Sequence, residues 1–167
     1  MKNKVLIAVA AVATVLFLSF FPVFTAVQLS AVKTGKILLL FPLTEGEEFS
    51  VRFTHSVNRR PVQDFLTVRD GGFVVLRSRY DAFGAGMPVA DEEGARLIVR
   101  PDTSLELVDI NRRLDDFTVF AGTVADHHVE VRGSFFRLSE LVKPGEPIKF
   151  QVTKLSYLQW QKGRYSP

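Results

Sequence analysis

Cysteine is missing from the 167-residue chain, which excludes disulfides, thiolate catalysis and cysteine-based zinc sites. A dinucleotide fingerprint, a phosphate loop, a Gly-x-Ser-x-Gly elbow, internal repeats and low-complexity tracts are also absent from the sequence. The excess of basic over acidic residues is only 3, and two basic residues, Lys2 and Lys4, stand before the apolar N-terminus. The chain from Lys33 onward is therefore close to neutral, which does not suit a nucleic-acid partner. Histidine is scarce, so imidazole chemistry rests on His55, His127 and His128.

What is present begins with a long apolar run. Val5 to Val32 carries no charge, and about 20 apolar residues suffice to cross a bilayer as a helix. The run is longer than a signal-peptide core, and neither Ala26 nor Ala31 completes a small-x-small cleavage site. The expectation is an uncleaved anchor at residues 5–32 behind a cytoplasmic segment 1–4, with Lys2 and Lys4 inside. The protein would be a single-pass protein of the cytoplasmic membrane, with its folded domain, 33–153, on the extracytoplasmic side. The tail, 154–167, mixes Tyr157, Trp160 and Tyr165 with Lys154, Lys162 and Arg164. That composition suits either a membrane–water interface or an ordinary solvated extension.

Between anchor and tail the alternation is that of short strands. Runs at 36–41, 49–57, 62–69, 73–80, 96–100, 104–110, 117–122, 128–132, 134–138 and 147–153 are separated by turn signals such as Asp70-Gly71-Gly72 and Pro144-Gly145. A single helical turn is expected at 139–142. The fold class predicted is all-β, an antiparallel sandwich or barrel of roughly seven to nine strands after one transmembrane helix.

The chemistry centres on the stretch Phe49–Val68. Phe49, Val51, Phe53, His55 and Val57 alternate with polar residues, and Val62, Asp64, Leu66 and Val68 do the same. With Asn58–Pro61 as the connection, Val57 faces Val62, His55 faces Asp64, Phe53 faces Leu66 and Val51 faces Val68. Opposed residues on one face have Cβ atoms roughly 4.5–5.5 Å apart. In Asp126–Arg132, His127 shares a face with Val129 and Val131, while His128 points away. The inward polar set is then His55, Asp64 and His127. Three uses are open to it: a hydrogen-bonded structural network, a site for a small anion or partner, or a divalent-metal centre that activates water. A serine hydrolase built on Ser56 is disfavoured, because His55 and Ser56 are strand neighbours and point to opposite faces. Arg59 and Arg60, at the hairpin tip, offer guanidinium groups to an anion. Gly84 and Gly86, before Pro88, allow close backbone approach.

The strings Phe49–Val57, Pro61-Val62 with Asp64, Gly84–Pro88, Asp126-His127, and Leu138 followed by Pro144-Gly145 resemble a family of small bacterial membrane-anchored proteins known only as a domain of unknown function. Their genes commonly lie beside those of TAXI-type TRAP transporters of organic anions. The resemblance covers nearly all of 45–153. It implies a non-catalytic accessory whose partner is the TRAP permease or its solute-binding protein. His55, Ser56, Arg59, Asp64, Gly84, Gly86, Pro88 and His127 would form the contact or ligand site, with no cofactor. The acid after Pro-Val is more often Glu in that family; here Asp64 is one methylene shorter. The alternative is a metal-dependent hydrolase in which His55, Asp64 and His127 hold the ion.

Overall fold

A computed structural model describes residues 2–57, 59–81 and 94–162. Helix α1 (Lys2–Phe20) leads into β1 (Phe24–Ala31), β2 (Ile37–Pro42) and β3 (Glu48–Thr54). Two long strands follow, β4 (Pro61–Arg69) and β5 (Gly72–Tyr80), then the short β6 (Arg96–Val99), β7 (Leu105–Val108) and β8 (Arg112–Leu114). The chain closes with β9 (Asp116–Phe120), β10 (His128–Val131), β11 (Ser134–Arg137), a 3-10 turn (Leu138–Glu140), β12 (Pro147–Leu155) and α2 (Tyr157–Lys162).

The strands form two sheets. The smaller runs β2-β1-β12-β9; the larger runs β11-β10-β3-β4-β5-β7-β6, with β8 beside β5. Neither closes into a barrel, which removes that half of the expected fold class, and the described strands number 12 rather than seven to nine. One hydrophobic core joins the sheets: Val27, Leu29, Phe41, Ile148 and Phe150 of the smaller pack with Phe49, Leu66, Val68, Phe73 and Val129 of the larger. The turns follow their residues. Asp70 and Gly71, between β4 and β5, have φ of 50° and 76°, the pair of positive values that a two-residue hairpin of right-handed twist requires.

The expected membrane anchor is overturned. Among the described residues no helix is long and apolar enough to cross a membrane, so a single-pass membrane protein with an extracytoplasmic domain is not supported. The uncharged run divides at Pro22: α1 stops at Phe20, and Phe24–Ala31 becomes β1, hydrogen-bonded between β2 and β12. From Val5 to its end α1 rises about 24 Å at 1.5 Å per residue, short of a hydrocarbon core of about 30 Å. The tail is also partly built in. Tyr157 and Trp160 of α2 pack against Phe24 at ring-centroid distances of 6.3 and 5.4 Å.

Candidate functional site

The central hairpin forms with a different register from the expected one. Thr54 pairs with Pro61, Phe53 with Val62 and Val51 with Asp64, so Asp64 sits opposite a residue four places before His55. Residues 55–60 make a longer connection, closed by His55 N–H to the Arg60 carbonyl (2.8 Å) and Arg59 N–H to the His55 carbonyl (3.0 Å). Because the displacement is an even number of residues, the side chains that remain in the strands keep their faces, whereas His55 and Val57, expected inward, fall in the connection and Val57 is exposed. Asp64 does point inward, but without the histidine.

Asp64 lies in a lateral row with Val51, Ser78 and Leu107. It accepts a hydrogen bond from the Ser78 hydroxyl at 2.5 Å. Desolvation of the carboxyl raises its pKa, opposed by the Ser78 hydrogen bond and by the charge of Arg112. His55 instead serves its own turn: its Nδ1 accepts the Val57 N–H at 3.3 Å. His127 follows Asp126, whose φ is 43°, and stacks on Phe53 at 5.3 Å. No His/Cys/Asp/Glu group able to hold a metal occurs among the described residues, so the His55/Asp64/His127 metal centre, and the hydrolase built on it, are corrected. Arg59 is exposed at the tip. Gly84, Gly86 and Pro88 lie outside the described residues.

Two of the expected residues do come together, on a different surface. Ser56 and His127 line a groove of about 700 Å³ together with Thr118, Val119, Phe120 and Pro144. Successive residues of a strand alternate between faces, so three consecutive ones can share a groove only along the strand's edge. Among the described residues that edge of β9 is open, since β9 pairs with β12 alone and ends its sheet. The groove floor is tied down from both sides. Thr54 N–H donates to the Ala125 carbonyl (2.7 Å), Gly145 N–H to that of Ala121 (2.7 Å), and Leu138 N–H to that of His127 (2.9 Å).

The electrostatics single out His127. Its Nδ1 is buried and has no hydrogen-bond partner among the described residues. Its pKa is lowered, first by desolvation and then by the neighbouring His128, against weaker upward pulls from Asp126 and the Phe120 backbone. The ring is therefore neutral near pH 7, with one polar atom to offer. Around it the groove exposes apolar side chains: Phe120 is 62% exposed and Val124 66%. Sequence reasoning missed Phe120 and Val124. The available signal was the alternation Phe117, Val119 against Thr118, Phe120, which turns a phenylalanine outward.

No curated protein and no solved structure matches the chain. Residues 49–138, a little over half of its length, match the family described as "domain of unknown function (DUF1850)", and the chain belongs to that family.

Proposed function

We propose that this protein is a non-catalytic recognition module whose groove takes an extended segment of a partner protein. The observation that carries it is the open edge of β9 running beside a buried, unpaired imidazole nitrogen. An incoming strand would add backbone hydrogen bonds to the edge, and its side chains would cover Phe120 and Val124. A peptide group within reach of His127 Nδ1 would satisfy a buried polar atom that the fold leaves open beside the groove; an unmet group of this kind costs about 1–3 kcal/mol. The partner part of the proposal rests on the resemblance of Phe49–Val57, Asp126-His127 and Pro144-Gly145. It points to a subunit of a TAXI-type TRAP transporter, the permease or its solute-binding protein.

The test is direct binding. The full-length protein, immobilised, is expected to retain one of those subunits, and Phe120→Asp is expected to weaken the complex at least tenfold, about 1.4 kcal/mol, with an unchanged melting temperature. Retention of neither subunit would remove the partner assignment. Equal binding by Phe120→Asp would remove the groove.

A further inference from the structure

The outward face of the larger sheet carries a second arrangement, independent of the groove. Cross-strand pairing sets Arg52 beside Gln63, Gln63 beside Arg79 and Arg79 beside Glu106. These four residues form one row across β3, β4, β5 and β7. Neighbouring strands lie about 4.8 Å apart, so the two arginines start about 10 Å from each other, a gap that two long side chains can close on a shared ligand. Both line the same small cavity, of about 160 Å³.

Most charges around this row are already matched. Glu106, with a side chain 2% exposed, has Arg100 Nη1 at 2.8 Å, Arg77 Nε at 3.0 Å and Arg79 Nη2 at 3.5 Å, although its Oε1 accepts no hydrogen bond among the described residues. Arg77 is further committed to Glu48 at 2.7 Å. Asp81, at the cavity rim, pairs with Arg60 at 3.2 Å. Asp102, close to Arg79 and Arg100, accepts the Ser104 hydroxyl at 2.6 Å and amide at 3.1 Å. Gln63 turns its amide nitrogen aside, to Ser50 Oγ at 2.9 Å.

Two donors are left over. Arg79 is the most distant of the three guanidinium groups on Glu106, and its Nε is buried without an acceptor. Arg52 is exposed, and its side chain makes no hydrogen bond or ion pair among the described residues. Arg79 is also held in place, its guanidinium 5.4 Å from the centroid of the Phe65 ring, which Arg77 caps at 4.0 Å. Stacking of this kind fixes the plane of the fork. A held fork with a spare N–H, lining the same cavity as an unpaired guanidinium, is a donor pattern that planar or tetrahedral oxyanions fit.

We propose that Arg52 and Arg79 bind a single oxyanionic group, a carboxylate, sulfate or phosphate, in the cavity they share. The cavity has room for about five waters at roughly 30 Å³ each, enough for such a head group but not for a nucleotide. Arg79 supplies the buried Nε–H, and Arg52 closes over the anion from the solvent side.

The full-length protein is titrated with sodium acetate, sodium sulfate and sodium phosphate, at ionic strength held constant with chloride. Isothermal titration and thermal shift are read together. At least one oxyanion is expected to bind and raise the melting temperature above the chloride control. Acetate alone would mark a carboxylate ligand; sulfate or phosphate alone would mark a tetrahedral one. Arg52→Gln, at an exposed position with no partner to lose, is expected to weaken binding at least tenfold with its melting temperature in chloride unchanged. Arg79→Lys keeps the charge but lacks Nε and is expected to weaken it as well. No shift with any oxyanion beyond chloride would overturn the site, and so would undiminished binding by Arg52→Gln.

Discussion

Asp64 shows what a single inward polar residue does when its expected partner is elsewhere. The carboxyl has Ser78 as hydrogen-bond donor and Arg112 as a more distant cation, yet desolvation outweighs both and its pKa lies above the ordinary 3.8. The sign follows from proton binding. Between 3.8 and the raised folded value, the folded state holds a proton that the unfolded chain has released. Stability therefore falls as pH rises through that window and stays lower above it. Asp64→Asn removes the ionisation and keeps an acceptor for Ser78. The variant is expected to be more stable than wild type at pH 7 by roughly 1 kcal/mol, a usual size for one substitution, and equal to it near pH 3.5. Thermal unfolding at the two pH values checks this; a variant no more stable at pH 7 would mean that Arg112 outweighs the desolvation. The facing of Asp64 was legible from the period of two. Its neighbour was not, because alternation settles faces and leaves the length of the turn free. The six residues of the connection carry turn chemistry that no pattern of apolar positions records, including Arg59 at φ 53°.

At the level of elements, β1 is the instructive strand. Its residues sit in an apolar run that helix and strand can both occupy, and periodicity alone does not separate the two. Pro22 was the available signal, and it marks the place where α1 gives way to extended chain. β8 was missed for the opposite reason. Arg112 and Arg113 are consecutive charges with no apolar alternation, yet the three residues Arg112–Leu114 pair with β5. The other strands fall where alternation and turn residues put them, within a few residues at their ends. The groove was legible only in pieces. Ser56, His127 and Pro144-Gly145 stood out singly, but their convergence depends on the open edge of β9, a property of sheet order. The place of β1 gives a clear expectation. Leu29 is fully buried in a strand paired on both sides, so Leu29→Ala should lower stability by about 3 kcal/mol, the usual range for a core leucine. Val12→Ala on α1, at a residue 60% exposed, should change it by no more than about 0.5 kcal/mol. Urea unfolding of both variants distinguishes a strand of the core from a segment outside it. A negligible cost for Leu29→Ala would place β1 outside the cooperative fold.

For the whole molecule, the question is whether two sheets of unequal size behave as one body. A chain of phenylalanine rings crosses between them twice. Phe41 of the smaller sheet meets Phe49 of the larger at 5.8 Å, Phe49 meets Phe73 at 5.8 Å, and Phe73 meets Phe117, back in the smaller sheet, at 5.2 Å. Phe117 then stacks on Phe150 at 4.4 Å. These contacts are the means by which the groove, framed by β9 and the β3–β4 connection, is held by both sheets at once. Phe117 belongs to β9 itself, so its removal loosens the smaller sheet and the groove wall together. Phe117→Ala is expected to cost about 3 kcal/mol, the low end for losing a buried phenyl ring because this one is only half-buried. The loss should reach both sheets equally: amide hydrogen exchange in β4 and in β12 should accelerate by similar factors, as in a two-state domain. Acceleration confined to β12 would mean that the sheets open separately, as distinct cooperative units. A partner bound along β9 would then stabilise only the smaller sheet, whereas in a single cooperative body it slows exchange in β4 as well.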